Sequence, residues 1–90
     1  MLLVVAYDIS SDRRRIRLYK LLHAYGHPVQ ESVFECHVTE RERVVLQRRV
    51  KRLITSRDTV RYYSLCATCA TKIVDGDGTL RPPEPEVYVV

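Results

Sequence analysis

Apolar and polar positions alternate along this chain in two periods, one predicting strands and the other helices. Leu2-Leu3-Val4-Val5-Ala6-Tyr7-Asp8-Ile9 is an apolar run carrying one carboxylate near its end, and it reads as a buried first strand. Strand alternation places Leu2, Val4, Ala6 and Asp8 on one face and Leu3, Val5, Tyr7 and Ile9 on the other. The spacing of Ile16, Leu18, Tyr19, Leu21, Leu22 and Tyr25 then predicts a helix capped by Ser10 or Ser11, running to about residue 25, with Gly26 as its stop. Residues 29–38 are rich in β-branched and aromatic types, and predict one long strand or two short ones bent near Ser32. Thr39-Glu40-Arg41-Glu42 is a capping box, opening a second helix through Val44, Val45, Leu46, Val50, Leu53 and Ile54. Residues 58–66 predict a further strand, and residues 71–74 a short strand or the end of a turn before Asp75-Gly76-Asp77-Gly78.

This order of elements predicts an α+β ferredoxin-like sandwich over residues 1–78, an antiparallel sheet with two helices on one face. A chain of ninety residues buries a limited core, and a sheet with helices on one face leaves the other bare. Packing two copies through their sheets covers that face, so a homodimer is expected. Residues 79–90 form a linker containing Pro82, Pro83 and Pro85, followed by Val87-Tyr88-Val89-Val90. That apolar tail is expected to pair as a strand with a sheet edge, of the partner subunit or of another protein.

Charge narrows the class of partner. Fifteen Lys and Arg against eleven Asp and Glu give a net charge of +4 and a pI near 9.2, which favours a polyanion such as nucleic acid. No apolar run approaches the roughly 18 residues of a membrane span. The first strand also lacks the basic flank and length of a signal peptide, so a cytoplasmic protein without a membrane partner is expected. Three cysteines, Cys36, Cys66 and Cys69, form an odd set that fits reduced thiols better than a disulfide framework.

Asp8 has two readings. As a turn residue it ends the strand and accepts hydrogen bonds from the following loop. As a metal ligand it supplies one hard oxygen donor, too few for Mg²⁺ or Mn²⁺, unless two copies of Asp8 meet across the two-fold axis and share the ion at the dimer interface. Arg13, Arg14, Arg15 and Arg17 crowd the start of the first helix, where cations oppose the helix dipole. A bound phosphate offsets that cost, making these four the candidate nucleic-acid contacts, although helical spacing points at least two of them elsewhere. The second helix is basic as well, and reads as a solvated surface or a second track for nucleic acid. Cys66-Ala67-Thr68-Cys69 has CxxC spacing, but Cys36 and His37 face opposite ways on a strand and make poor further zinc ligands, so structural thiols are the better reading. His23 and His27 have no neighbouring nucleophile with an orienting group, and no P-loop or dinucleotide fingerprint is present.

Taken in order and spacing, the Tyr7-Asp8-Ile9 strand end, the Arg-rich helix, Val29-Gln30-Glu31-Ser32-Val33-Phe34-Glu35, and Asp58-Thr59-Val60-Arg61-Tyr62-Tyr63 with its CxxC resemble the CRISPR-associated Cas2 family over residues 1–78. The resemblance implies a ferredoxin-like homodimer whose C-terminal strand crosses to the other protomer, working in spacer acquisition with the Cas1 integrase. It also implies a metal-dependent endonuclease acting on RNA or double-stranded DNA. Asp8 takes the position of the family's metal ligand, Tyr7 precedes it, and Arg15, Arg17 and Phe34 match positions associated with activity. Pro28 stands where some members carry Arg, which removes one cation from that segment. Two other readings stay open: a non-catalytic DNA-binding scaffold for the integrase, and a toxin-like ribonuclease of similar fold.

Overall fold

A computed structural model describes residues 1–79. The chain runs β1 (Leu2–Asp8), α1 (Asp12–His23), β2 (Gly26–Gln30), β3 (Val33–His37), α2 (Glu40–Leu53), β4 (Thr59–Leu65) and α3 (Ala67–Ala70). The four strands form one antiparallel sheet in the order β2-β3-β1-β4. This is the expected ferredoxin-like arrangement, with β1 paired along both edges.

Alternation along β1 decides which way the sheet faces. Leu3, Val5, Tyr7 and Ile9 join Phe34 and Cys36 of β3 in a core closed by Leu18 and Leu22 of α1 and by Leu46 and Val50 of α2. Both long helices therefore cover the same face, and Val4, Ala6 and Asp8 point to the opposite one. Each helix is seated by its cap. The Ser11 hydroxyl accepts the Arg14 N–H, while Thr39 and Glu42 form the predicted capping box, with reciprocal bonds of 3.1 and 2.8 Å. The apolar stripes are narrower than their sequence suggests: Ile16, Tyr19, Val44 and Val45 are exposed.

Gly26 plays a different part from the helix stop expected of it. Helix α1 ends at His23 with Ala24 as its cap, and Gly26 opens β2 opposite Cys36. A Cβ there would lie 2.1 Å from the Glu35 carbonyl oxygen and 2.6 Å from the Cys36 Cα. The two backbones approach so closely that only hydrogen fits. The extended segment begins earlier than expected, at Gly26, and resolves into two strands, because Ser32 adopts a positive φ of 64° and turns the chain back. The Ser32 carbonyl also accepts the Tyr7 N–H at 3.0 Å, which extends the support of β1 almost to Asp8.

Strand β4 is shorter than predicted at both ends. Asp58 stays in the preceding loop, and Cys66 caps the one-turn α3, an element not expected from the sequence. Residues 71–74 form a turn with an isolated bridge at Val74. The predicted tail strand at Val87-Tyr88-Val89-Val90 lies outside the described residues. The close β2–β3 crossing gives a direct test: Gly26→Ala should destabilise the fold by about 1–3 kcal/mol, read as a lower urea midpoint with an unchanged slope.

Candidate functional site

The carboxyl end of β1 holds the first site residue. Asp8 is exposed on the face opposite the helices, and its carboxylate has no hydrogen-bond or ion-pair partner among the described residues. Both edges of its strand are paired, so the side chain is free while its backbone is fixed. Opposite Asp8 is Thr59 of β4, and one pair further along that face Arg61 stands opposite Ala6. Period two therefore carries Arg61 onto the face of Asp8, as its diagonal cross-strand neighbour. Arg61 is the only Lys or Arg within the four strands. Sequence reasoning does not single it out, since the face of Arg61 becomes defined only with the β1–β4 register.

Tyr7 and Phe34 point the other way. Phe34 is fully buried in the core, and Tyr7 packs against it with ring centroids 6.4 Å apart. Burial raises the pKa of the Tyr7 hydroxyl above its ordinary value. Both residues line a groove of about 680 Å³ between α1 and the β2–β3 hairpin, with Arg15, Tyr19 and Lys20 at its helical wall. The structure thus gathers Tyr7, Arg15 and Phe34 at one place, on the helix side of the sheet, and leaves Asp8 on the other. Phe34 makes its contribution through packing, since its ring is sealed from solvent.

The four arginines of α1 divide by what they touch. Arg13 and Arg17 are exposed and four residues apart, so they share one side of the helix. Arg15 is ion-paired to Asp12 one turn before it. Arg14 is committed to the fold instead of to an outside phosphate. Its Nε and one terminal nitrogen donate to the two oxygens of Asp58 at 2.8 and 3.1 Å. The same carboxylate accepts the backbone N–H groups of Ser10 and Thr55, at 3.1 and 2.9 Å, and both of their hydroxyls. One buried acid therefore ties the β1–α1 loop to the α2–β4 loop. The Arg14 guanidinium, helped by the Thr55 and Ser10 amides, holds the Asp58 carboxyl far below the usual carboxylate range. Sequence reasoning misses this role as well, because Asp58 adjoins a strand-like run and reads as its first residue.

On α2, Arg43 pairs with Glu40 and Gln47, and Arg49 donates to the Tyr25 hydroxyl at 3.1 Å. Arg41, Arg48, Lys51 and Arg52 are exposed. With Arg13 and Arg17 they leave both helices with outward-facing cations.

The family model described as CRISPR associated protein Cas2 matches residues 1–73, which takes in every element from β1 to α3. The chain belongs to the Cas2 family. Among its relatives, a protein named CRISPR-associated endoribonuclease Cas2 1, from Chloroflexus aurantiacus, is 41% identical over the whole of both chains. The crystal structure of Streptococcus pyogenes Cas2 at pH 6.5 superposes with a TM-score of 0.75 at 32% identity, covering 83% of this chain and 98% of that one. A chain from a partial Cas6-RT-Cas1–Cas2 complex superposes with a TM-score of 0.81 at 26% identity, covering 99% and 98%.

To the divalent metal expected at Asp8 this Cas2 chain offers a single carboxylate. The carboxylate is a hard oxygen donor that no other described residue engages, which suits Mg²⁺ or Mn²⁺. Among the described residues, however, no three His, Cys, Asp or Glu side chains gather to hold an ion. No helix of the described residues is long and apolar enough to cross a membrane.

The Asp58 knot has a defined pH dependence. Because its folded pKa lies below the ordinary 3.8, the folded chain binds fewer protons than the unfolded one in acid. Its stabilisation is complete above that ordinary value and drains away as pH falls toward the folded one. Asp58→Asn should lower the melting temperature at pH 7 by several degrees. It should also flatten the fall in stability below about pH 4 that wild type shows in acid unfolding curves.

Proposed function

We propose that this Cas2 protein acts in CRISPR spacer acquisition as a homodimer that binds nucleic acid and cleaves phosphodiester bonds with a divalent metal. The observation that carries the reading is the Asp8 carboxylate, fixed at the end of the central strand, exposed, and engaged by no other described group of its own chain. Two copies packed through the faces that bear Val4 and Ala6 bring two such carboxylates to one interface, and together they would hold Mg²⁺ or Mn²⁺. Such an ion supplies Lewis-acid polarisation of a phosphodiester and a more acidic bound water. The relative named an endoribonuclease supports cleavage of RNA, and double-stranded DNA is the other substrate class proposed.

The protein's own side chains do the remaining work. Arg61 lies beside Asp8 on that face, where a guanidinium can grip a phosphate oxygen and stabilise charge that develops there. Arg13 and Arg17, with the exposed cations of α2, extend the grip along the nucleic-acid backbone. Arg15, whose guanidinium is held by Asp12, contributes from the wall of the groove that Tyr7 lines.

A second reading, a scaffold that clamps DNA for the Cas1 integrase without cutting it, is favoured by one observation. The neighbour from the Cas6-RT-Cas1–Cas2 complex shares the fold over almost the whole of both chains. In that reading the arginines matter and the carboxylate does not.

Asp8→Asn separates the two. It should reduce metal-dependent cleavage by about 100-fold or more, while sedimentation shows that a dimer still forms. Undiminished cleavage assigns the activity to another nuclease, and normal spacer acquisition by an Asp8→Asn strain favours the scaffold. Arg61→Ala should weaken binding to a duplex or RNA probe by roughly tenfold at low salt and make its dependence on log salt concentration shallower by about one contact.

A further inference from the structure

Cys66 and Cys69 are the chemically distinctive residues that the proposed function leaves unused. Cys66 precedes and Cys69 lies within α3, the single helical turn that packs on β4 directly after that strand ends. Cys66 is the cap of the turn, and its sulfur accepts the Cys69 N–H at 3.4 Å. The Cys69 thiol lies within hydrogen-bonding reach of the same sulfur. Both side chains are exposed. One turn of helix brings residues three apart onto one side, within the Cα separations that a disulfide accepts.

We propose that Cys66 and Cys69 form a reversibly oxidisable dithiol, with Cys66 as the attacking thiol and a low-molecular-weight disulfide as the oxidant. In the first step the Cys66 thiolate attacks one sulfur of that disulfide. A mixed disulfide forms on Cys66, and one small thiolate leaves and takes up a proton. In the second step the Cys69 thiol gives up its proton and attacks the Cys66 sulfur, closing the ring and expelling the second small thiol. Two protein thiols are oxidised to one disulfide, and one small disulfide is reduced to two thiols.

The order of attack follows from the turn. The Cys69 amide and thiol both direct hydrogens at the Cys66 sulfur, which favours the Cys66 thiolate and disfavours that of Cys69. Cys36 provides an internal contrast, since burial in the core pushes its thiol up to about 12 and shields it from attack. A zinc site would need more ligands. Among the described residues, no third His, Cys, Asp or Glu joins the pair. The disulfide would lock the turn at the exit of β4, the strand that carries Arg61, and so set a covalent constraint where the chain leaves the sheet.

Oxidised glutathione added to the full-length, metal-free protein provides the test, followed by intact mass and thiol counting. Wild type should lose the mass of two hydrogen atoms and two of its three thiols, with Cys36 still reduced. The Cys69→Ser variant should accumulate a glutathione adduct at Cys66 roughly tenfold faster than Cys66→Ser does at Cys69. The proposal is overturned by a wild-type adduct that never closes to the internal disulfide, or by equal rates in the two variants. Stoichiometric zinc in the protein as purified, with both thiols shielded until a chelator is added, overturns it equally.

Discussion

Everything about this fold follows from β1 being paired along both edges. A strand with one partner can slip by two residues and keep its faces, whereas a strand held by β3 and β4 together must break two ladders to move. The apolar residues at odd positions, Leu3 to Ile9, fix which face the helices take, and the pairing fixes how far along each side chain lies. Asp8 inherits both constraints. Its exposure is therefore a property of the whole sheet, and the approach of Ser32 to Tyr7 extends the support to within one residue of it.

The second constraint is electrostatic, and it acts at the same end of the sheet. The loops leaving β1 and entering β4 carry backbone N–H groups that need acceptors, and Asp58 supplies one carboxylate to both. Removing only Asp58 would leave Arg14 and two amides without their acceptor, which is why such a knot costs more to break than any single bond in it suggests. It also settles how the basic start of α1 is used. Arg14 neutralises the acid and Arg15 is held by Asp12, so Arg13 and Arg17 are the two left for outside contacts.

The features legible in the sequence are those that depend on near neighbours. The capping box at Thr39 and the split of β1 into two faces, with Asp8 on that of Leu2, Val4 and Ala6, are set by residues within a turn or two, and the strand and helix periods report them directly; which of the two faces the helices cover comes only with the fold. Asp58 is illegible because its partner, Arg14, lies 44 positions away and a strand-like run begins just after it. Gly26 misleads for a similar reason: a glycine after a helix commonly ends it, and nothing local reveals that the Glu35 carbonyl will pass 2.1 Å from its absent Cβ. The ligand role proposed for Asp8 comes from family resemblance, since an acid at a strand end has an ordinary explanation in turn chemistry.

The separation of faces has a consequence for the chemistry proposed at Asp8. Tyr7, Arg15 and Phe34 lie on the helix side of β1, so within one chain the cation on the carboxylate's own face is Arg61 of β4. In the proposed function, a site with one carboxylate and one guanidinium per chain would be complete only when doubled. Under the proposed pairing, metal binding and dimer formation are then linked equilibria, and each must strengthen the other by the same factor. In that pairing the two carboxylates would repel one another before an ion arrived, an electrostatic cost that the cation would remove. In that reading the exposed arginines on the helices would be left to hold nucleic acid along the outside of the dimer while the sheet faces meet.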